Sequence, residues 1–551
     1  MRGVSYFKKI HLTFFLIGLV ILTPSIIVLA TANISNPALT MCAVADDGVQ
    51  IAFDVIKKPS VSVDAPVVIL LHGFSGNRKM MKMIGLALAD RNFISVLVDL
   101  RGHGDSGGSI GSVNRFEADI QAVLTVLNNS RIGDINKLVF IGHSMGGSVA
   151  VNMSSILQPL ATIGIAPAIS PNDVNLTTPK NLLLIISEKD FIIDNQAVIA
   201  AFYKAINNTG EPNTIYFAGG SEKKLFVDDS SDHLSILYKA EVINEIVKWV
   251  TRTVSGVEEA SNVNPDLIGA SVLSTLISGL LIILPALHLL LKNLTGARSG
   301  ETSVPLSHSK RKIYLLASLG FIAASLGGVA LTLLFSPILF VISPLLFTNF
   351  VTSLFLGNSV SLGILCLILI RRRIGGLGFK KYFKEKIGGQ LFYNVIVGFT
   401  SGLSLIILFY VSIGFNTTST FSIYPIRLIL LLLYFPLYFC VFLFYELFFR
   451  GFLREELGSN AVSNIILSII QIIMIISSLL LQMLLVALTF QQNIFSFLLL
   501  GLPLIIILVS VSTSISVLFY EASKSWLSQI ISNALLLCAV AVALSNIIYL
   551  F

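Results

Sequence analysis

The residues best placed to do chemistry are Gly142-His143-Ser144-Met145-Gly146, which directly follow the apolar run 138–141 and precede a helix-like stretch. Small residues on both sides of a serine permit a sharp strand-to-helix turn that lifts the hydroxyl clear of a sheet. Gly147 adds another small residue where the helix begins. A serine hydroxyl is a weak nucleophile until a base removes its proton and a carboxylate orients that base. Within the polar part of the chain, His233 is the one histidine that follows Ser144, so it is the expected base. Asp190 closes Ser187-Glu188-Lys189-Asp190, immediately after the apolar run 182–186. A loop after a strand is where an open α/β sheet places its working residues. Asp190 is therefore the expected orienting acid, with Asp194 as the alternative. In Leu71-His72-Gly73-Phe74, His72 reads as a residue that shapes a turn. The backbone N–H groups of Phe74 and Met145 are the expected oxyanion donors. This is acyl-transfer chemistry on an ester or amide. It calls for no metal and no organic cofactor, and the four cysteines form no CxxC or Cys/His cluster that would seat zinc.

The elements that must position these groups lie in residues 43–253. Short β-rich runs at 67–71, 94–98, 138–141, 182–186 and 214–217 alternate with amphipathic helix-like stretches. That alternation predicts parallel strands joined by crossover helices. Roughly 210 residues suffice for one well-buried domain. The rest of the 551-residue chain has a different texture. Overall 54% of residues are apolar and 12% charged, against about 25% charged in an ordinary soluble protein. With a mean hydropathy of +0.85, a purely soluble enzyme, a disordered chain and a collagen-like fibre are excluded.

An apolar run at 10–32 is long enough to span a bilayer and follows Arg2, Lys8 and Lys9. It predicts an anchor. Ala30-Thr31-Ala32 also has the small-x-small pattern of a signal-peptide cleavage site, which is the alternative. Residues 254–265 read as a linker. Eight further apolar runs follow, at 267–291, 313–336, 346–370, 391–413, 426–448, 463–489, 494–518 and 526–550, with 337–347 either re-entrant or part of a longer tilted helix. The expected organisation is a membrane segment at 1–42, an α/β domain at 43–253, the linker, and an all-α polytopic domain of about eight helices at 266–551.

The net charge of +7 divides unevenly. Residues 43–253 hold 18 basic and 21 acidic side chains, which leaves 19 basic and 9 acidic elsewhere. Lys and Arg flanking apolar helices report membrane orientation. With a cytoplasmic N-terminus, the clusters at 292–312, 371–386, Arg450/Arg454 and Lys524 all fall on the cytoplasmic side, and Arg427 alone falls outside. The α/β domain then faces away from the cytoplasm of a multi-pass cell-membrane protein. The expected partner is the lipid bilayer and not nucleic acid, and the oligomeric state is left open.

Three segments taken together resemble the α/β-hydrolase superfamily, nearest to its serine aminopeptidase and monoacylglycerol lipase-like branch. They are His72-Gly73-Phe74-Ser75-Gly76-Asn77, Asp99-Leu100-Arg101-Gly102-His103-Gly104-Asp105-Ser106, and Gly142-His143-Ser144-Met145-Gly146-Gly147. The resemblance covers roughly residues 45–252. It implies the α/β-hydrolase fold, a mostly parallel sheet with flanking helices. It also implies Ser144 as nucleophile, His233 as base, Asp190 as orienting acid, and structural roles for Arg101 and His103. Many relatives carry a helical cap before the strand that leads to the acid. Here only residues 167–180 are available, too few for a cap domain. The expected site is open, or covered by the membrane or the helical part, and suits a small ester, a lipid or a peptide.

A second constellation lies in the apolar part. Phe444-Tyr445-Glu446-Leu447-Phe448-Phe449-Arg450-Gly451 places Glu446 and Arg450 on one helix face. With Gly375-Gly376-Leu377-Gly378 and residues 526–534, it resembles the CAAX-protease and bacteriocin-processing (CPBP) intramembrane protease family. That family pairs two glutamates before the arginine and uses histidines on later helices. Tyr445 stands at the first glutamate position, Asn533 at a histidine position, and no histidine follows His308. The expectation is a degenerate relative whose Glu446/Arg450 pair fixes helix packing. Two other readings stand beside the hydrolase: a transporter or scaffold with a binding-only outer domain, and an intramembrane protease centred on Glu446. Asn-x-Ser/Thr sequons begin at Asn33, Asn128, Asn152, Asn175 and Asn207 in the segment expected outside.

Overall fold

A computed structural model describes residues 2–110, 115–295, 310–374, 383–384, 386–387, 390–422, 424–458, 461–490 and 493–548. Contacts divide the chain into two compact units. One comprises 21–276, 410–424 and 543–551; the other comprises 1–20, 277–409 and 425–542.

The first unit is built on a nine-stranded sheet. In chain order the strands are β1 (Ala38–Val44), β2 (Gln50–Ile56), β3 (Pro66–Leu71), β4 (Ile94–Val98), β5 (Asp134–His143), β6 (Ala161–Ile165), β7 (Leu182–Ser187), β8 (Ile215–Ala218) and β9 (Ser221–Asp228). Their spatial order is β1-β2-β4-β3-β5-β6-β7-β9-β8. From β4 through β9 every neighbour is parallel, while β1/β2, β2/β4 and β8/β9 are antiparallel.

The helices of this unit are α2 (Lys82–Asp90), α3 (Phe116–Asn129), α4 (Met145–Leu157), α5 (Asn195–Ile206) and α6 (Ala240–Ser255), flanked by α1 (Arg2–Ser35) and α7 (Pro265–Thr295). They cover both faces, so the central strands are apolar on both faces. Along β3, Val68 and Leu70 join one core with Ile84, Leu88, Val242 and Ile246 of α2 and α6. Val67, Ile69 and Leu71 join the other, with Ile120 and Val123 of α3 and Ala150 of α4. This is the period-2 alternation of a strand read out in packing. Each such buried side chain contributes about 1.5–3 kcal/mol. The helix α6 stops at Gly256, whose φ of 74° is the left-handed cap that glycine adopts without strain.

Among the described residues, eight helices are long and apolar enough to cross a bilayer: His11–Ser35, Pro265–Thr295, Arg311–Ile342, Leu346–Leu369, Leu391–Gly414, Pro425–Leu453, Ala461–Leu488 and Gly501–Ser523. Of the stretch 337–347, residues 337–342 are part of the longer helix Arg311–Ile342, and the next helix begins at Leu346. The run 526–550 differs from the sequence expectation. Its helix, Leu527–Ala543, is 17 residues long, about 25 Å, which falls short of a ~30 Å hydrocarbon core. Residues 410–424 and 543–551, expected within the helical part, group with the sheet instead.

Candidate active site

Ser144 sits between β5 and α4 with φ 54° and ψ −118°. A non-glycine residue held there costs about 1–3 kcal/mol. The turn survives because its neighbours are glycines. A Cβ on Gly142 would lie 2.0 Å from the Gly146 carbonyl oxygen, and one on Gly146 would lie 2.4 Å from that of Leu71. Ser144 N–H donates to the Ile165 carbonyl of β6 at 2.9 Å, which fixes the turn against the sheet.

Ser144, His233 and Asp190 come together although they are far apart in sequence. Ser144 Oγ lies 3.1 Å from His233 Nε2. His233 Nδ1 lies 2.7 Å from Asp190 Oδ2. The carboxylate is held in turn, since Asp190 Oδ1 accepts from the N–H groups of Ile192 at 2.8 Å and Ile193 at 3.1 Å. Burial works to raise the Asp190 pKa, but the hydrogen bond and charge of His233 and the two backbone N–H groups outweigh it. Asp190 is therefore left below its usual range. Asp194 serves another purpose: it caps α5, accepting from Gln196 N–H at 3.0 Å.

His72 is turned away from this chemistry. Its Nε2 accepts from Leu100 N–H at 3.1 Å and its Nδ1 faces the Gly73 carbonyl at 2.7 Å. Burial pushes it down to about 4, so it stays neutral. His72 thus ties the turn carrying Phe74 to the loop after β4. In that loop Arg101 is buried against Asp119, with Nε to Oδ2 at 2.8 Å, and the His103 ring packs 5.0 Å from that of His72. Met145 opens α4 directly after Ser144, and Phe74 lies on the turn after β3.

Sequence reasoning did not single out His143. It is buried, and its Nε2 donates to the His233 backbone carbonyl at 2.8 Å, which anchors the loop that carries the imidazole. Burial, with His233 beside it, pushes it down to about 3. That loop is also held by Asp228 at the end of β9, which accepts from Ser231 N–H at 2.7 Å. A second unread feature is a buried charge network next to the Phe74 turn. Arg78 pairs with Asp54 at 3.0 Å, with Asp105 at 3.0 Å and with Asp99.

In the helical unit, Glu446 and Arg450 are each 1% exposed and 3.4 Å apart. Gln529 Nε2 donates to Glu446 Oε2 at 3.2 Å, and Arg450 Nη1 donates to Gln471 Oε1 at 2.6 Å. Tyr445 is used structurally, its hydroxyl reaching Asn358 Oδ1 at 3.1 Å. Asn533 Nδ2 donates to the Ser512 carbonyl and to Ser516 Oγ. His11 and His288 stack on each other at 5.0 Å. The Gly375–Gly378 motif and the basic residues Arg298, Lys380 and Lys381 lie outside the described residues. Among the described residues, no group of three or more His, Cys, Asp or Glu side chains could hold a metal.

The sheet order, the crossover helices and the serine at a strained strand-to-helix turn define an α/β-hydrolase fold. Within it, residues 64–189 match the family described as serine aminopeptidase, S33. The same region is similar to the "Probable alcohol acetyltransferase" of Saccharomyces cerevisiae, at 31% identity over 150 residues, 25% of this chain and 43% of that one. It is also similar to the sn-1-specific diacylglycerol lipase ABHD11 of Danio rerio, at 30% identity over 20% of this chain and 35% of the relative. The chain thus spans less than half the length of these curated relatives. Among solved structures, the Pyrococcus furiosus esterase Pf2001 aligns over 40% of this chain and 95% of its own, at 19% identity and a TM-score of 0.34. The matches concern the hydrolase domain.

Proposed function

We propose that the protein is a membrane-anchored serine hydrolase that cleaves carboxylic esters or amides outside the cytoplasm through a Ser144–His233–Asp190 relay. The observation that carries this is the pair of contacts at 3.1 and 2.7 Å joining Ser144 Oγ, the two nitrogens of His233 and the Asp190 carboxylate. Ser144 Oγ attacks the carbonyl carbon while His233 Nε2 takes its proton. Asp190 holds the Nδ1 proton and so fixes the tautomer. The oxyanion is received by the N–H groups of Met145 and Phe74. His233 returns the proton to the leaving alcohol or amine. Water then adds to the acyl-serine by the reverse proton path and releases the acid.

The membrane setting is supported by the eight long apolar helices and by the charge distribution. Residues 410–422, which group with the hydrolase, are among those the positive-inside rule places on its side. Glu446 and Arg450 are read as a packing ion pair of a degenerate CPBP-like helical part. Tyr445 and Asn533 occupy positions where that family's mechanism needs ionisable groups. A membrane-impermeant fluorophosphonate tests the reading. It should label intact cells through Ser144 and fail on Ser144→Ala; an unlabelled but folded wild type would sink the proposal.

A further inference from the structure

The hydrolase unit has no cap insertion between β6 and β7, yet Ser144 is 6% and His233 3% exposed. A segment from far along the chain is bonded to residues on the loops near the site. Residues 415–422, between two long apolar helices, belong to the same compact unit as the sheet. They bridge the two loops that flank the serine. On the oxyanion-turn side, Asn77 Nδ2 donates to Thr418 Oγ1 at 3.0 Å, and Asn77 Oδ1 accepts from Ser419 N–H at 3.1 Å. Asn77 follows Gly73-Phe74 closely, and Gly76 N–H closes that turn on the Gly73 carbonyl at 3.0 Å. On the histidine side, the Tyr238 hydroxyl reaches the Thr417 carbonyl at 3.3 Å.

The attachment continues in both directions. Lys82 Nζ donates to the Phe415 carbonyl at 2.9 Å and lies 3.8 Å from the centre of its ring. Ser422 Oγ donates to Asp105 Oδ1 at 2.8 Å, on the carboxylate that also pairs with Arg78. Farther along, Ile547 exchanges backbone hydrogen bonds with Gly102 and Ile110 at 2.8 and 2.9 Å. The segment is polar where it is pinned, with Asn416, Ser419, Thr420 and Ser422 buried. Its first part is apolar: Tyr410 and Val411, at the end of the helix Leu391–Gly414, are 37% and 52% exposed, and the Phe415 ring, 37% exposed, lies against Lys82. A buried hydroxyl-rich strip held by this many hydrogen bonds is a built attachment and not a chance contact.

We propose that residues 410–422 serve as the missing cap, forming one wall of the cleft over Ser144 and accepting the aliphatic chain of a long-chain acyl ester. This rests on the serine-hydrolase reading and adds its substrate class. Tyr410 and Val411 of this wall lie in the last turn of the helix Leu391–Gly414. A lipid acyl chain would therefore keep apolar contact as the carbonyl reaches the serine, whereas a peptide would gain nothing from that surface.

The test uses the full-length protein in phosphatidylcholine nanodiscs and a 16-carbon fluorophosphonate carrying a diazirine a few carbons from phosphorus. After labelling and irradiation, the Ser144 adduct should crosslink within residues 410–424. Crosslinks confined to 167–180 or 189–194 would overturn the proposal while leaving the hydrolase reading intact. A folded protein with no Ser144 adduct would overturn both. A second measurement avoids dependence on the probe. In the double variant Thr418→Ala/Ser422→Ala, the ratio of kcat/KM for a 16-carbon ester to that for a 4-carbon ester should fall about tenfold. A ratio within twofold of wild type, with both rates lowered together or neither lowered, also counts against the wall.

Discussion

Each unit of this chain buries a small set of polar side chains, and the two sets are built differently. In the sheet unit, Ser144, His233 and Asp190 form a directed line, and the outer carboxylate oxygen is filled by two backbone N–H groups. The strained backbone at Ser144 is over-determined by glycines and by β6. In the helical unit, Glu446 and Arg450 neutralise each other, but Arg450 Nε and Nη2 have no hydrogen-bond partner among the described residues. Their remaining hydrogen bonds run to the amides of Gln529 and Gln471 and to the Ser516 hydroxyl, none of which is a base at neutral pH. Chemistry needs a donor, an acceptor and a path between them. The first cluster has all three; in the second, the side chains that hydrogen-bond to the charge pair are neutral amides and a hydroxyl.

The sharpest way to break this contrast is to remove the head of the line. Ser144→Ala should lower ester hydrolysis by about 10⁶-fold and abolish fluorophosphonate labelling, with thermal unfolding little changed because alanine keeps the same strained turn. Retained hydrolysis would place the chemistry elsewhere. Next in size is Asp190→Asn. It keeps the shape but offers His233 Nδ1 an amide in place of a carboxylate, and kcat should fall by about 10⁴-fold. Asp194→Asn, at the α5 cap, should leave kcat within twofold. The reverse ranking of these two would show that the acid was wrongly assigned.

The line was legible in the sequence to different degrees, for physical reasons. Ser144 is a local signal, since the glycines its turn requires are its own neighbours. His233 is reached by elimination, as histidines are scarce in that region, and Asp190 by its place after an apolar run. His143 was not legible, because its role is a bond to a carbonyl 90 positions away. Of the outer strands, β8 coincides with the run 214–217, but β1, β2 and β9 were missed. β1 and β2 form an edge hairpin, and β9 begins Ser-Glu-Lys-Lys, which has none of the continuous apolar pattern of a central strand. The attachment of 410–424 was hidden for a similar reason: a short polar stretch between apolar runs looks the same whether it is solvated or docked.

The buried histidines sharpen the contrast through pH. His72 and His143 are neutral in the folded protein, pushed down to about 4 and about 3, first by burial in each case. The unfolded chain takes up these protons near the ordinary histidine value of about 6.5. Below that value the unfolded state binds more protons, so stability falls as pH falls, by about 1.4 kcal/mol per pH unit for each histidine. Stability of the full chain against unfolding should fall by about 2.4 kcal/mol from the pair between pH 6 and pH 5, where the unfolded histidines are mostly but not fully protonated. His143→Gln should remove about half of that fall. A melting temperature that does not change over this interval would mean that neither histidine is held neutral by burial.

The smallest expected effect on activity is the most informative about the helical unit. Glu446→Gln keeps the hydrogen bond with Gln529 but leaves Arg450 buried without its counter-charge, an arrangement that costs about 3–5 kcal/mol. The variant should therefore melt earlier while folded protein hydrolyses esters within twofold of wild type. The double change Glu446→Leu/Arg450→Met removes both charges together. It should restore most of the lost stability, because an ion pair in an apolar setting is worth little more than well-packed hydrophobic side chains. If Glu446→Gln abolished activity that Ser144→Ala retained, the helical cluster would be the reaction centre and the line through Ser144 a relic. Recovery of stability in the double change, with hydrolysis still dependent on Ser144, would instead establish that Glu446 and Arg450 hold helices together.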